Sequence, residues 1–547
     1  MTPPDPSTGR KLVEDEMPCA EVVVVGSGGA GLLAAAVAAD AGLSVTVLER
    51  TALLGGTTAV SGGMLWVPGN APMAAAGIED SPDDALRYLD LVTEGTVPRA
   101  RLEHYVKAAP EMVQWLLEHT PVRLFPIDRP DYHSEWPGAR NVGRCLDNEP
   151  FPTADRPGLL GRIRRGPQFP PLTYHERHLA RFDGPDRELL ERRRSEGVLT
   201  VGAALVAGLV AACDDRGVRF VTEARATALL RADGRVTGVR TADGREFPAA
   251  NVVLAGGGFE WNAVLRTAFL GDIPVLPASP PGNEGDCLTM ALAAGAAVER
   301  MSQAWWVPAL AGVPERYDGA PLTRHLVGER CLPGSIMVDR HGRRFVNEAV
   351  NYHDITRVLF NFDADQHRPD HLPVWLVFDE TFRTRYQVGT ASPREPAPDW
   401  FTSAATPAAL AAAIGVDPDE LTRTIERFSA HARAGSDPDF HRGETAHDRY
   451  YGDPRHGGNP CLGELAAPPF HAVPVVPGAL GTKGGPVTGP AGEVLGTDGT
   501  AVPGLFACGN VSATVMGPGY PGSGGTLGPA LTAAYCLGTA LARRPRG

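Results

Sequence analysis

The sequence lacks the features that are typical of disulfide-rich, zinc-binding, membrane-spanning and nucleic-acid-binding proteins. Its eight cysteines are scattered without a CxxC pair, which argues against a zinc site or a disulfide scaffold and fits a reducing compartment. The longest apolar stretch with almost no charge, residues 201–213, is shorter than the roughly 20 residues of a membrane span. Basic residues are too few to balance acidic ones, 51 against 64, and the net charge of −13 argues against a nucleic-acid partner.

The first 20 residues have no apolar core of the kind found in secretory signals, and they are rich in proline and acidic residues. We therefore predict a flexible N-terminal tail over residues 1–20, a cytoplasmic location and no stable membrane insertion. No spacing of histidines indicates a metal site, so none is predicted. The length of 547 residues predicts two or three domains, and 43% hydrophobic residues can supply their cores.

A βαβ unit follows the predicted tail. Residues 21–25 (EVVVV) are typical of a buried parallel strand, residues 32–41 predict a small-residue helix, and residues 44–50 predict a second strand. The turn between the first strand and the helix matches GxGxxG, and an acid, Glu49, ends the second strand. This context predicts a dinucleotide site built from Gly26, Gly28, Gly29, Ala30, Gly31, Glu49 and Arg50.

Each position of this motif has a physical role. Gly26 permits the tight turn, Gly28 lets the backbone approach a pyrophosphate, and Gly31 lets helix and strand pack closely. The helix N-terminus offers N–H donors and partial positive charge to the pyrophosphate. We expect Glu49 to accept hydrogen bonds from ribose hydroxyls.

A second glycine-rich segment decides between NAD and FAD. NAD domains normally continue into another helix after the second strand, whereas FAD proteins of the fumarate-reductase type place a glycine-rich segment there, against the ribityl chain and the isoalloxazine ring. The sequence therefore favours FAD, with further contacts from Gly55, Gly56, Thr57, Thr58, Ser61, Gly62 and Gly63.

The pattern of strands and helices predicts how the chain is divided. Residues 202–255 and 504–541 return to strands, glycine loops and helices, with a hairpin around Asp233-Gly234. Residues 299–474 lack this rhythm and are richer in Trp, Tyr, His and Pro. We predict an α/β fold, a Rossmann-like FAD-binding domain over 21–298 and 475–547 with an inserted α+β substrate (catalytic) domain over 299–474.

Several segments resemble the FAD-dependent 3-ketosteroid Δ1-dehydrogenases, which belong to the wider fumarate reductase/succinate dehydrogenase flavoprotein group. The resemblance extends over about residues 21–541 and is weakest over roughly 120–180 and 360–440. The segments that carry it are GGTTAVSGGMLWVPGN (55–70), GRRFVNEAVNYHD (342–354), RGETAHDRYYGDP (442–454), GALGTKGGPVTG (478–489) and GLFACGNVSATVMGPGYPGSGGTLGPALT (504–532).

The resemblance implies an FAD-dependent dehydrogenase that introduces a C1–C2 double bond into a 3-ketosteroid or a similar polycyclic ketone. It implies that Tyr520 and the N–H of Gly524 polarise the ketone, that Tyr352 removes the α-proton with help from Tyr132, and that the flavin N5 accepts the hydride. An external electron acceptor would then reoxidise the flavin.

The resemblance also implies further cofactor contacts in the later part of the chain. Pro529 is expected as the first residue of the last helix, whose N-terminus would face the flavin. Asn510 is expected at the ribityl chain. The full later set is Gly256, Gly257, Gly509, Asn510, Gly525, Thr526, Leu527 and Pro529. Trp305 and Trp306, with Met301, either form the wall of a pocket for a flat substrate or pack in the core.

Other reactions remain open at this stage. The chain could form a 4-ene in a ketosteroid, or reduce an activated alkene as fumarate reductases do. Those enzymes bind dicarboxylates through arginine, whereas the glycine loop here carries Tyr520. A non-redox isomerase or hydratase that uses FAD structurally is a further alternative, because a fold alone does not fix a reaction.

Overall fold

The structure describes residues 20–544. Within them, an eight-stranded sheet contains the two strands of the βαβ unit. The computed structural model orders six of its strands as Glu493–Leu495, Ala501–Ala507, Glu246–Leu254, Ala20–Val25, Val45–Leu48 and Arg219–Val221. The strands from Ala501–Ala507 to Arg219–Val221 are parallel, as βαβ connections require. The sheet is completed by the hairpin Ala226–Ala232 and Arg235–Thr241, which was predicted around Asp233-Gly234.

The predicted tail, residues 1–20, lies outside the described residues except for Ala20, which begins the first strand. Within residues 20–544 no helix combines the length and the apolar character needed to cross a bilayer.

Three alanine-rich helices pack together beside the large sheet: Gly29–Asp40, Val201–Asp214 and Leu527–Ala542. The first is buried along almost its whole length, because it lies between the sheet and the other two helices. Small residues allow this close approach. A Cβ on Gly538 would meet the Cβ of Val37 at 2.7 Å.

A second sheet, of seven strands in residues 20–544, forms the other layer. Its path is Arg324–His325, Ala304–Leu310, Phe470–Thr482, Val374–Asp379 and Ser335–Val338, and the short strands Leu276–Pro277 and Thr402–Ala404 also pair with Phe470–Thr482. The neighbours on this path are antiparallel. The sheet therefore draws strands from 276 to 482, and the domain boundaries at 298 and 475 stay predictions.

Smaller sheets and further helices complete the described structure. A three-stranded sheet is formed by Leu65–Trp66, Cys145–Asn148 and Leu124–Pro126. Two-stranded pairs are Val298–Glu299 with Gly485–Pro486, Arg316–Tyr317 with Ala320–Pro321, and Phe362–Asp363 with Arg368–Pro369. The remaining helices are Gly56–Ala59, Ala71–Ala75, Pro82–Val92, Arg99–His119, Leu159–Arg162, Tyr174–Leu179, Arg187–Ser195, Ala263–Leu270, Asp286–Ala293, Tyr352–Val358, Glu380–Arg385, Pro407–Ile414, Pro418–Ala434 and Ala446–Tyr451, with 3₁₀ turns at Glu329–Cys331 and Gly509–Val511.

The start of the last helix corrects one expectation. The helix runs Leu527–Ala542, so Pro529 is its third residue and not its first. Proline is tolerated there because the N–H groups of a helix's first turn have no intrahelical acceptor.

Candidate active site

A cavity of about 1170 Å³ connects the glycine turn after the first strand with the glycine-rich loop before the last helix. Most residues predicted for the cofactor and the ketone line it: Gly26, Gly28, Gly29, Ala30, Glu49, Arg50, Gly56, Thr57, Thr58, Ser61, Gly62, Gly63, Gly256, Gly257, Gly509, Asn510, Thr526, Leu527, Tyr352, Tyr520 and Gly524. The predicted residues that do not line it are Gly31, Gly55, Gly525, Pro529 and Tyr132.

Glycine is required at two positions of the turn. Gly26 has a φ of +107°, and a Cβ there would meet the carbonyl oxygen of Ala255 at 2.5 Å. A Cβ on Gly31 would meet the carbonyl oxygen of Gly26 at 2.1 Å. The first glycine lets the chain turn sharply out of the strand, and the second lets the helix pack directly on that turn.

The N-terminus of the helix Gly29–Asp40 opens onto the cavity. Gly28 precedes the helix and supplies no capping side chain. The Gly29 N–H donates to Thr58 Oγ1 at 3.0 Å. The first-turn amides that Thr58 does not cap, together with the helix dipole, favour an anion at this point, and the glycines leave room for one to approach. The donors and the open cradle therefore fit the diphosphate of FAD.

Glu49 occupies its predicted position, but protein donors already fill its carboxylate. Oε2 accepts the N–H and the hydroxyl of Ser27 at 3.2 and 2.6 Å. Oε1 accepts the N–H and the hydroxyl of Thr51 at 2.9 and 3.0 Å. A carboxylate has about four lone-pair sites, so a ribose hydroxyl would have to share or replace one of these hydroxyl donors.

Two other predicted cofactor residues are fixed by protein contacts. Arg50 forms ion pairs of 3.3 Å with both Glu284 and Asp286. Asn510 Oδ1 accepts the indole N–H of Trp305 at 3.1 Å. Both side chains are thus held at the cavity wall, and their contacts with a cofactor stay predictions.

Three tyrosines from distant parts of the chain meet at one wall of the cavity. The rings of Tyr132 and Tyr352 are 5.3 Å apart, those of Tyr352 and Tyr520 are 5.6 Å apart, and those of Tyr132 and Tyr520 are 5.2 Å apart, centre to centre. Tyr132 and Tyr520 are buried, and Tyr352 is half-buried and lines the cavity. The structure therefore brings together the three phenols that the sequence predicted separately.

Tyr132 is held in this cluster by its neighbour in the chain. Asp131 is buried and accepts from Arg144 Nη1 at 2.9 Å and from the indole N–H of Trp66 at 2.7 Å. The N–H of Tyr132 donates to the carbonyl oxygen of Pro521 at 3.0 Å. These bonds fasten the segment to the loop that carries Tyr520.

Gly524 lies in the same loop, and its backbone requires glycine. Its φ is +92°, and a Cβ there would meet the carbonyl carbon of Leu65 and the N of Trp66, each at 2.5 Å. Within residues 20–544 no protein acceptor takes the Gly524 N–H. Gly524 lines the cavity together with Tyr520, whose phenol oxygen lies 2.9 Å from Thr526 Oγ1.

All three phenols are held in the neutral form. Burial raises the pKa of Tyr352 well above its ordinary value, and the neighbouring phenols of Tyr132 and Tyr520 raise it further. Burial likewise raises the pKa of Tyr132 and that of Tyr520. A base at this position therefore needs a route for its proton, and the Tyr132 hydroxyl continues the polar chain to Ser523 Oγ at 3.2 Å.

A buried lysine that the sequence did not single out supports the Tyr520 loop. Lys483 is 1% exposed, and its Nζ donates to the carbonyl oxygens of Pro518 and Gly519 at 3.0 and 2.6 Å. The Nζ also lies 4.3 Å from the ring centre of Trp305. Burial lowers the pKa of Lys483 well below its ordinary value. Its segment, 478–489, was noted for its resemblance, but no motif marks the lysine itself.

Arg129 is the second such residue. It lines the cavity three positions before Tyr132, and its side chain is buried. A lone arginine in a proline-containing loop has no pattern by which the sequence could have revealed it.

Trp305 and Trp306 are buried, and neither they nor Met301 line the cavity. Trp306 packs on Phe360, with ring centres 4.6 Å apart. The core-packing alternative therefore describes them better than the pocket-wall alternative.

Comparison with known proteins shows what the whole chain is similar to. An FAD binding domain family model matches residues 21–527. The chain is 42% identical to 4-oxocyclohexanecarboxylate 2-dehydrogenase of Sinomonas cyclohexanicum over 96% of this chain and 93% of that protein. It is 37% identical to 3-oxosteroid 1-dehydrogenase of Mycobacterium tuberculosis, covering 94% and 97%. The crystal structure of 3-ketosteroid Δ1-dehydrogenase from Sterolibacterium denitrificans, in complex with 1,4-androstadiene-3,17-dione, superposes with a TM-score of 0.87 at 35% identity, covering 96% and 99%.

The chain belongs to the FAD-dependent 3-ketosteroid Δ1-dehydrogenase family. This flavoprotein is therefore an oxidoreductase that acts on CH–CH bonds with FAD as its cofactor. The predicted fold class is confirmed, an α/β protein with a Rossmann-like FAD-binding fold. The roles of individual residues stay predictions.

Proposed function

We propose that this flavoprotein introduces a carbon–carbon double bond beside the ketone of a 3-ketosteroid or a similar cyclic ketone. The names of its relatives share a ring ketone and dehydrogenation, which supports this reaction class. The observation that carries the proposal is the mutual ring contact of Tyr132, Tyr352 and Tyr520 at the wall of one cavity.

Tyr520 and Gly524 would hold the ketone oxygen. When the Thr526 hydroxyl donates to the Tyr520 oxygen, across 2.9 Å, the phenol proton is free to donate to the ketone. The unpaired Gly524 N–H borders the same cavity and supplies a second donor. Two donors aimed at one oxygen stabilise the negative charge that develops there as the α-proton leaves.

Tyr352 would take the α-proton. Its ring is half-buried in the cavity wall next to Tyr520, so one substrate can reach both phenols. The raised pKa of Tyr352, caused first by burial, makes its phenolate a poor resting state. Tyr352 therefore takes the α-proton after its own phenol proton has passed through the hydroxyls of Tyr132 and Ser523, whose oxygens lie 3.2 Å apart, to water in the cavity that Ser523 lines.

The electrons of the second C–H bond leave with its hydrogen as hydride. Bound FAD supplies the acceptor for this hydride, and an external electron acceptor restores the oxidised cofactor. The protein binds the diphosphate at the helix Gly29–Asp40 and leaves the cavity continuous between that end and the tyrosines. In the balance, the α-carbon loses a proton, the β-carbon loses a hydride, and the remaining electron pair forms the double bond.

Product analysis tests the proposal. We expect the FAD-loaded protein, given an artificial electron acceptor, to convert a cyclic ketone into a conjugated enone lighter by two hydrogen atoms. NMR of a ketosteroid product distinguishes a C1–C2 bond from the 4-ene alternative. Reduction of an alkene substrate would favour the ene-reductase alternative. An isomer or hydrate formed without flavin reduction would favour the non-redox alternative. Either result would contradict the proposal.

A further inference from the structure

Arg129 is a buried charge that the proposed reaction leaves unexplained. Its side chain is 4% exposed and lines the cavity that also contains Tyr352 and Tyr520. A guanidinium is charged at every pH a protein experiences. Within residues 20–544 the Arg129 Nε has no hydrogen-bond partner, and no carboxylate forms an ion pair with this side chain.

The immediate neighbours of this guanidinium do not neutralise it. The rings of Tyr174, Tyr450 and Tyr451 surround it, with centres 4.5, 5.3 and 5.4 Å from its central carbon. One of its Nη atoms donates to the Tyr451 hydroxyl, and the other lies 3.8 Å from Met64 Sδ. Aromatic faces and a thioether attract a cation, but they supply no compensating negative charge.

Asp147 is a nearby carboxylate, but it is committed to the backbone. It accepts the N–H groups of Asn148 and His175 at 2.8 and 2.9 Å. Burial raises its pKa to about 6, and the charge of Arg129 acts on it only through space. Asp147 therefore holds its own loop, and among the described residues the Nε of Arg129 stays without an acceptor.

The charge of Arg129 is felt at the phenols that would perform the reaction. Burial raises the pKa of Tyr132 and that of Tyr520, and the Arg129 charge lowers both against this effect. Burial also acts to raise the pKa of Tyr174, but the charges of Arg129 and Arg177 and a hydrogen bond with Arg129 outweigh it, and the pKa is lowered. The geometry agrees: Arg129 and Tyr520 line the same cavity, so one ligand can meet both of them.

The cavity as a whole is basic, although the chain carries a net charge of −13. Among the described residues that line it, arginines outnumber carboxylates by nine to four. Five of these arginines are exposed: Arg177, Arg181, Arg187, Arg385 and Arg394. A basic opening attracts anions and raises their rate of association.

We infer that the substrate is a cyclic ketone that carries a carboxylate, and that Arg129 binds this carboxylate while Tyr520 and Gly524 hold the ketone oxygen. The inference rests on the proposed dehydrogenation and names its substrate class. A neutral steroid would leave Arg129 buried with no carboxylate in contact, because Asp147 acts on it only through space, and burying a charge without such a partner is unfavourable. A carboxylate offers two oxygens that the guanidinium fork binds side by side.

The wild-type protein alone allows a first test. Turnover of 4-oxocyclohexane-1-carboxylate is compared with that of its neutral methyl ester and of 4-androstene-3,17-dione. We expect kcat/KM for the acid to exceed that for the ester by about 10- to 100-fold, the usual worth of a hydrogen bond to a charged group. Equal values for acid and ester, or a preference for the steroid over the acid, would overturn the inference.

Variants locate the effect. Arg129→Met should lower kcat/KM for the acid about 10- to 100-fold more than kcat/KM for the ester, and Arg129→Lys should restore part of the loss on the acid. Arg240→Gln removes one positive charge from an exposed hairpin strand and should change neither substrate. If Arg129→Met lowered kcat/KM for the acid and for the ester by the same factor, the arginine would have only a structural role and the inference would be overturned.

Calorimetry with cyclohexanecarboxylate, which has no ketone, separates the binding site from the reaction. Wild type should bind it at least tenfold more tightly than Arg129→Met, and equal affinities would overturn the inference. If no cyclic ketone is dehydrogenated but this binding difference persists, the proposed reaction is wrong and the carboxylate site stands. If neutral ketones react and the binding difference is absent, the reaction stands and the carboxylate site is wrong.

Discussion

The rings of Tyr352 and Tyr520 lie 5.6 Å apart, centre to centre, with their planes at 80°. Tyr352 begins the helix Tyr352–Val358, whereas Tyr520 lies in the loop before the helix Leu527–Ala542. Because both line one cavity, a cyclic ketone can meet one phenol at its oxygen and the other at its α-carbon. The chemistry proposed here depends on this relationship.

The rate of flavin reduction should rise with pH from about 7 to 10. Tyr352 must lose its proton to act as a base, and burial raises its pKa above the ordinary value of about 10. Below that pKa the phenolate fraction grows about tenfold per pH unit, so the direction is toward faster reduction at higher pH. Anaerobic stopped-flow measurements across this range check it, and a rate that is flat or falls would contradict the assignment of Tyr352.

Gly524→Ala should damage both stability and activity. The added Cβ would meet Leu65 and Trp66 backbone atoms at 2.5 Å, at a φ of +92°. We expect a loss of roughly 1–3 kcal/mol in the free energy of unfolding, with further cost from the clash, and a larger KM for the ketone. Denaturant unfolding and steady-state kinetics measure the two effects.

Gly499→Ala is the matched control for this change. Gly499 has a similar φ of +78°, but a Cβ there would meet nothing within 4 Å. It should share the backbone cost of about 1–2 kcal/mol and leave KM unchanged. Equal effects of the two variants on KM would show that the close approach at Gly524 has no part in ketone binding.

Lys483→Met should loosen the loop that carries Tyr520. The change leaves the carbonyl oxygen of Gly519 without its buried donor, at a cost of about 1–3 kcal/mol, and it removes one of two contacts of the Pro518 carbonyl oxygen, which also lies 2.7 Å from His353 Nε2. We expect a lower melting temperature and a lower kcat, because Tyr520 follows these residues directly. Lys107→Met, on the exposed face of the helix Arg99–His119, is the control. Unchanged kcat in a destabilised Lys483→Met would limit the lysine to a structural role.

Glu49→Gln should weaken retention of FAD. The exchange replaces one carboxylate oxygen by an NH₂ group, which cannot accept from Ser27 or Thr51 or from a ribose hydroxyl. The flavin-to-protein absorbance ratio after gel filtration at low concentration measures the loss. Glu118→Gln, on an exposed helical turn, should retain FAD as wild type does. Full retention in Glu49→Gln would argue against its predicted ribose contact.

Much of the nucleotide-binding half could be predicted from the sequence because its signals are local. A β-branched run, a glycine turn that excludes side chains and an alanine-rich helix are adjacent in the chain, and the hairpin at Asp233-Gly234 has its own turn signal. The second sheet was less predictable. Its long strand, Phe470–Thr482, includes prolines and glycines and pairs with segments far apart in sequence.

The site residues that were missed share one property. Both Arg129 and Lys483 are buried, the first with an Nε that has no hydrogen-bond partner among the described residues and the second with carbonyl acceptors. Burial and partners of this kind depend on the packing of segments that are distant in sequence. The three tyrosines were found through family resemblance, whereas their contact with one another is visible only in the fold. The first residue of the last helix was also misplaced, because proline is tolerated throughout the first turn.

Anaerobic mixing of FAD-loaded protein with a cyclic ketone, followed by flavin absorbance, tests the central claim most directly. Wild type and the remote variant Tyr535→Phe should bleach at the same rate, and Tyr352→Phe should retain FAD but bleach about 10²–10⁴ times more slowly, the usual contribution of a general base. Bleaching of Tyr352→Phe at the wild-type rate, or no bleaching of wild type by any cyclic ketone that binds, would contradict the account.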